Sequence, residues 1–136
     1  MLLTAHAELT ARIEAALAAA GLPPLGWYDV LWELEKADAG LRMAELARRV
    51  VLSRSNLTRL ADRLEAEGLI ERRDSAEDKR GYDCVITREG RAMRRKMWPV
   101  YEAGIQRLFA SRVSAEEART LAAALGRAVK LAREDS

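Results

Sequence analysis

One cysteine, Cys84, and one histidine, His6, are all that this chain offers to thiol or imidazole chemistry. A single cysteine excludes an internal disulfide and any multi-cysteine metal site, and a single histidine excludes a histidine cluster. There is no glycine-rich phosphate loop, and no nucleophile, base and orienting residue form a plausible set. The carboxylates are scattered along helix faces opposite basic residues, which is ordinary surface pairing. The chain is therefore not expected to be an enzyme, and no metal or cofactor is expected. An apolar run of about eighteen residues, the length a membrane helix needs, is also missing. The start Met1-Leu-Leu-Thr-Ala-His6 lacks the basic residues of a signal peptide. The expected place is the cytoplasm, with no membrane partner.

Strong charge of one sign is absent too: the net charge is +2 over 136 residues. Its distribution says more than its sum. Residues 1–52 carry 5 Lys and Arg against 7 Asp and Glu, residues 53–96 carry 12 against 9, and residues 97–136 carry 6 against 5. The positive excess sits on the middle stretch. Apolar residues make up 49% of the chain, enough for one buried core.

That middle stretch contains a helix with two unlike faces. With Ser53 as N-cap, Leu57, Leu60, Ala61 and Leu64 fall at i, i+3, i+4, i+7 and share the buried side. The opposite side presents Ser55, Thr58, Arg59 and Asp62, flanked by Arg54 and Asn56. Glu and Lys, the usual residues of a solvated helix face, are absent from the first two turns. Short hydroxyls and amides mixed with Arg suit base edges and phosphates. Just upstream, a helix from Ala44 to Arg49 or Val50 turns inward through Leu46, Ala47 and Val50. Val51 and Leu52 make the turn into Ser53. Two short helices joined this way, the second with a polar outer face, make a helix-turn-helix.

Earlier in the chain, Leu2 to Ala20 reads as a helix of about five turns, ended by Gly21 before Pro23 and Pro24. A second helix, Leu25 to Lys36, puts Trp27, Val30, Leu31 and Leu34 on one face, with Tyr28 and Trp32 widening the apolar surface to one side. Such rings at helical spacing are core by default; a ligand pocket lined by Trp27, Tyr28 and Trp32 is the functional alternative. Leu41 to Met43 is long enough for one short strand, with Met43 at the position that would cap the third helix.

Beyond Gly68, a predicted helix C-cap, Leu69–Arg73 and Tyr82–Thr87 read as two strands around a polar tip from Asp74 to Gly81. Ile70, Cys84 and Ile86 point inward at period two; Val85 blurs the alternation. A helix-turn-helix followed by this hairpin is a winged helix. Thr87 opens a long helix through Met93, Met97, Tyr101, Ile105 and Leu108, with a bend expected near Arg95 to Pro99. Ser114-Ala-Glu-Glu117 is a capping box for a last helix lined by Leu121, Leu125 and Val129. The first helix and these last two carry apolar stripes without a core of their own, which an intertwined dimer would supply. The expected fold is mostly α with a small β-wing. Dimerisation helices are expected over 1–26 and 95–136, and the winged helix-turn-helix over 27–94.

Taken together, Leu25-Gly-Trp-Tyr-Asp-Val-Leu-Trp-Glu-Leu34, the helix-turn-helix, Leu64-Glu-Ala-Glu-Gly-Leu-Ile-Glu-Arg72, Asp78-Lys-Arg80 and Ile86-Thr-Arg-Glu-Gly-Arg91 resemble the MarR (multiple antibiotic resistance regulator) family of bacterial transcription factors. The resemblance covers nearly the whole chain. It implies a homodimer on a pseudo-palindromic double-stranded operator, with the Ser53 helix in the major groove. Arg80 at the wing tip would reach the adjacent minor groove, with Asp78 fixing its side chain. A repressor released by a small aromatic or amphipathic ligand is the expected mode of action. Oxidant-sensing members carry cysteines in the N-terminal helices, where this chain has none. Cys84 is expected to be a small buried strand residue and His6 a surface or dimer-interface residue.

The residues expected at DNA are Ser53, Arg54, Ser55, Asn56, Thr58, Arg59, Arg63, Arg73, Asp78, Lys79 and Arg80. A winged helix used only for protein contacts is the alternative, separated from DNA binding by its weak response to salt.

Overall fold

The computed structural model describes residues 1–75 and 81–135. Helix α1 (Leu2–Ala19) is followed by α2 (Leu25–Lys36). The first turn of α2 has no cap of its own; Glu14 of α1 supplies one, its carboxylate accepting the Leu25 N–H at 3.3 Å. Strand β1 (Leu41–Arg42) runs directly into α3 (Met43–Arg49). The cap of α3 thus lies one residue before the expected Met43, at Arg42, and no side chain closes it. Pairing decides this boundary: Leu41 and Arg42 are held in register with Cys84 and Asp83, and Met43 is the first residue released.

Helix α4 (Arg54–Ala66) begins on Ser53, whose hydroxyl accepts the Asn56 N–H at 3.3 Å. It ends where Gly68, at φ +74, takes a left-handed turn that lets the Leu69 N–H reach the Leu64 carbonyl at 2.9 Å. Strands β2 (Ile70–Asp74) and β3 (Tyr82–Ile86) follow as a hairpin, with Ile70 opposite Ile86 and Asp74 opposite Tyr82. Strand β1 occupies the other edge of β3, so the sheet has three antiparallel strands in the order β1-β3-β2. Being central explains Val85: α2 lies against β3, and Cys84, Val85 and Ile86 are all buried.

The core is one cluster in which Leu31, Leu34, Leu46, Leu57, Leu64 and Ile70 are fully enclosed. Each such side chain contributes roughly 1.5–3 kcal/mol on leaving water. The apolar stripe read from α4 is what joins it to this core: Leu57, Ala61 and Leu64 are buried, and Leu60 is packed at the edge.

Helix α5 (Arg88–Leu108) is capped by Thr87, whose hydroxyl accepts the Gly90 N–H at 3.0 Å and donates to the Gly68 carbonyl at 2.7 Å. One threonine thereby ties the start of α5 to the end of α4. The helix continues through Pro99 as a single element; the carbonyl that Pro99 leaves unbonded belongs to the exposed Arg95, where water can reach it.

By its internal contacts the chain divides into two compact units, 1–102 and 103–136. The second holds the end of α5, a 3-10 turn (Ala110–Arg112) and α6 (Ala115–Glu134). The expected capping box is formed: the Ser114 hydroxyl accepts the Glu117 N–H at 3.1 Å. No residue of α6 is buried, although Leu121, Val129 and Leu131 are 43%, 49% and 60% exposed. None of the helices described is long and apolar enough to cross a membrane.

Candidate nucleic-acid interface

The outer face of α4 is open from end to end. Ser53, Arg54, Ser55, Asn56, Thr58, Arg59, Asp62 and Arg63 are all exposed, directly over the buried leucines that hold the helix down. Several of these side chains are already oriented. Arg59 donates to the Asn56 side-chain carbonyl at 3.0 Å, one turn apart, so a guanidinium and an amide stand together as a pair. The Thr58 hydroxyl donates back to the Arg54 carbonyl at 3.0 Å, and the Ser53 and Ser55 hydroxyls lie 3.4 Å apart. Such donors and acceptors on the first two turns match what a base edge or phosphate needs.

Other charged residues of this region are committed elsewhere. Asp62 receives the Arg72 guanidinium at 2.6 Å, and the Glu65 carboxylate accepts the Arg72 N–H at 3.2 Å. Burial works against the Arg72 charge, but Asp62 and Glu65 outweigh it and raise its pKa. Arg72 thus straps β2 to α4, fixing the wing relative to the helix. Arg73 is exposed and paired with Glu71 at 2.9 Å, a contact worth little in stability and easily exchanged for a phosphate. Arg63 lies 5.8 Å from the Trp27 ring centre, a cation–π contact that links α4 to α2. Asp78, Lys79 and Arg80, the expected wing-tip residues, lie outside the described residues.

The three aromatic residues singled out on α2 do different things. Trp27 packs on the core beneath Arg63. Tyr28 is buried in a three-ring cluster, 5.8 Å from Trp98 and 5.1 Å from Tyr101 between ring centres. Trp32 lines a cavity of about 460 Å³ whose other walls come from α1, α2, Tyr101 of α5 and the turn Val50–Leu52. Its ring also has the Arg94 guanidinium at 5.0 Å and the Lys36 ammonium at 5.4 Å.

Two features of this cavity escaped the sequence reading. Its wall includes the turn that introduces α4, and Asp29 faces into it. Burial, with the nearby Glu33 charge adding, pushes the Asp29 carboxyl up to about 6. Burial and the Asp29 charge in turn push the Tyr101 phenol up, so it stays protonated. A carboxylate inside Leu25-Gly-Trp-Tyr-Asp-Val-Leu-Trp32 was the available signal.

Cys84 is fully buried with its thiol 3.3 Å from the Met43 sulfur. Burial pushes the thiol pKa up despite the neighbouring Arg72, which disfavours the reactive thiolate. His6 lines the cavity mouth from α1. Among the described residues, no group of three or more His, Cys, Asp or Glu side chains could hold a metal ion.

A sequence model of the MarR family matches residues 20–81. The HTH-type transcriptional regulator PrsX of Escherichia coli is 38% identical over 64 residues, 46% of this chain and 39% of PrsX. The match thus spans about two-fifths of that relative's length. Among solved structures, AbsC, a MarR family transcriptional regulator from Streptomyces coelicolor, superposes with a TM-score of 0.86 at 28% identity, covering 97% of this chain and 89% of AbsC. Sco3205, a MarR family regulator of the same organism solved in complex with DNA, gives 0.82 at 27% identity, covering 98% of this chain and 82% of its own.

Proposed function

We propose that the chain is a transcriptional regulator of the MarR family, whose sequence model matches residues 20–81, and that it binds a pseudo-palindromic operator in double-stranded DNA as a homodimer and represses the adjacent promoter. The observation that carries this reading is the outer face of α4, where an exposed run of hydroxyl, amide and guanidinium groups stands on a fully buried leucine face. Sco3205, with the same fold, is bound to DNA in its crystal structure. In this reading α4 enters the major groove, and Ser53, Arg54, Ser55, Asn56, Thr58 and Arg59 meet bases and phosphates. Arg63 and Arg73 reach flanking phosphates, and Asp78, Lys79 and Arg80 follow the wing toward the minor groove.

Dimerisation through residues 1–26 and 95–136 is supported by α6, a helix of 20 residues with no buried side chain and three large apolar ones exposed. A second copy would remove that surface from water. Release by a small ligand is supported by the cavity beside Trp32, because an occupant would press on Val50–Leu52 and so on the start of α4.

Selection of bound fragments from random duplex DNA tests the reading. The expected product is an inverted repeat whose half-site centres lie about 34–36 Å apart, one helical turn. Enrichment of no duplex, or of a lone half-site, would contradict it.

A further inference from the structure

We propose that the cavity behind the helix-turn-helix takes a small organic cation with an apolar or aromatic body, its ammonium group seated on the Asp29 carboxylate. The inference rests on the effector part of the proposed function and adds the chemistry of the ligand.

The charges on the cavity wall are unequal in how they are used. Glu14 is occupied by the Leu25 N–H at 3.3 Å, Glu33 by the Lys36 ammonium at 2.9 Å, and Arg49 by Glu45 at 3.1 Å. Asp29 alone among the wall's acids has no hydrogen-bond or ion-pair partner among the described residues. It faces a space of about 460 Å³, room for a ligand of drug-like size or smaller.

A pKa near 6 leaves Asp29 ionised at neutral pH, yet partly stripped of water. Each ligand class alters that state differently. An anion would meet Asp29, Glu33 and Glu14 across the same space and be repelled. A neutral occupant would strip the carboxylate of more water and return at most a hydrogen bond, with no balancing charge. An organic cation supplies the missing partner, and apolar Leu25, Val50 and Leu52 receive its body. Tyr101, kept protonated beside Asp29, adds a ring wall and a hydroxyl donor. Trp32 forms a side wall, its ring already carrying Arg94 and Lys36. A bare metal ion fits poorly, since hard cations need six or so oxygen ligands and one uncommitted carboxylate is on offer.

Tryptamine and indole-3-acetate share an indole ring and differ in the charge of the side chain, so titration calorimetry of the full chain with both isolates the sign. Tryptamine is expected to bind at least about tenfold more tightly than indole-3-acetate, and Asp29→Asn is expected to weaken tryptamine by about tenfold or more. Asp29 is neutral below its pKa and charged above it, while the amine stays charged throughout. Tryptamine affinity should therefore fall between about pH 7.5 and about pH 5.

His6 of α1 also lines this cavity. Glu14, Glu33 and Arg49 line it from α1, α2 and α3. The Asp29→Asn protein separates Asp29 from these neighbours, since a pH dependence carried by Asp29 disappears there. Equal or tighter binding of indole-3-acetate would overturn the proposal. So would wild-type tryptamine affinity in Asp29→Asn, or no binding of either compound by the native chain. Operator affinity measured on the same samples keeps the two readings apart. Loss of tryptamine binding with DNA binding intact removes this inference alone; tryptamine binding without DNA binding removes the regulator reading and leaves the cavity assignment.

Discussion

Arg59→Ala is expected to weaken operator binding by about 1–3 kcal/mol per half-site, or about 2–6 kcal/mol for a dimer on both. Arg59 is exposed on the second turn of α4, where its guanidinium is held by the Asn56 side chain at 3.0 Å. In the proposed complex its removal deletes one DNA contact and also frees the Asn56 amide to turn, so two groups of the proposed recognition face are disturbed at once. Fluorescence anisotropy at fixed salt measures the loss. Specificity tells more than magnitude: if Arg59 reads a base, preference at one base pair in each half-site relaxes, whereas a phosphate contact weakens all sequences alike. Arg59 lies outside the buried face, so thermal stability should stay within about 0.5 kcal/mol. Wild-type affinity in this variant would mean that α4 does not face the duplex.

Gly90→Ala is expected to destabilise the fold by about 3 kcal/mol or more, a large part of the 5–15 kcal/mol typical of a domain. On propensity alone the sign would be opposite, since alanine exceeds glycine in a helix by about 1 kcal/mol. Local packing reverses it. A Cβ at Gly90 would overlap the Leu69 backbone carbonyl and stand 2.8 Å from the Ile86 side chain. Neither neighbour can yield: the Leu69 carbonyl accepts the Thr87 N–H at 3.1 Å, and Ile86 is a buried residue of the central strand. The first turn of α5 would have to leave the junction of α4 and β2, taking the Thr87 cap with it. Urea unfolding followed by tryptophan fluorescence measures the effect, and a variant as stable as the native chain would refute this packing.

The winged helix was legible because its signals are local. Ser53 as a cap, the spacing of Leu57, Ala61 and Leu64, and the pairing of Ser114 with Glu117 each need only a few neighbouring residues. Features set by distant parts of the chain were not legible. β1 is two residues long and exists because β3 offers it an edge, which also moved the cap of α3 from Met43 to Arg42. Val85 broke the two-residue alternation because the middle strand is covered on both sides. The tertiary arrangement likewise sent Trp27, Tyr28 and Trp32 to three surroundings that helical spacing alone does not separate. In the sequence Asp29 is one acid among many, and only its burial, with Glu33 and Tyr101 beside it, makes it unusual.

The salt dependence of binding to the selected duplex tests most directly whether two such chains grip DNA through α4 and the wing. Neutralising about 6–10 phosphates predicts a slope of log affinity on log salt near −5 to −9, a loss of about 10³–10⁵ in affinity between 50 and 200 mM salt, with two protomers per duplex. An affinity that holds steady over that range, or a complex containing one protomer, would contradict the account.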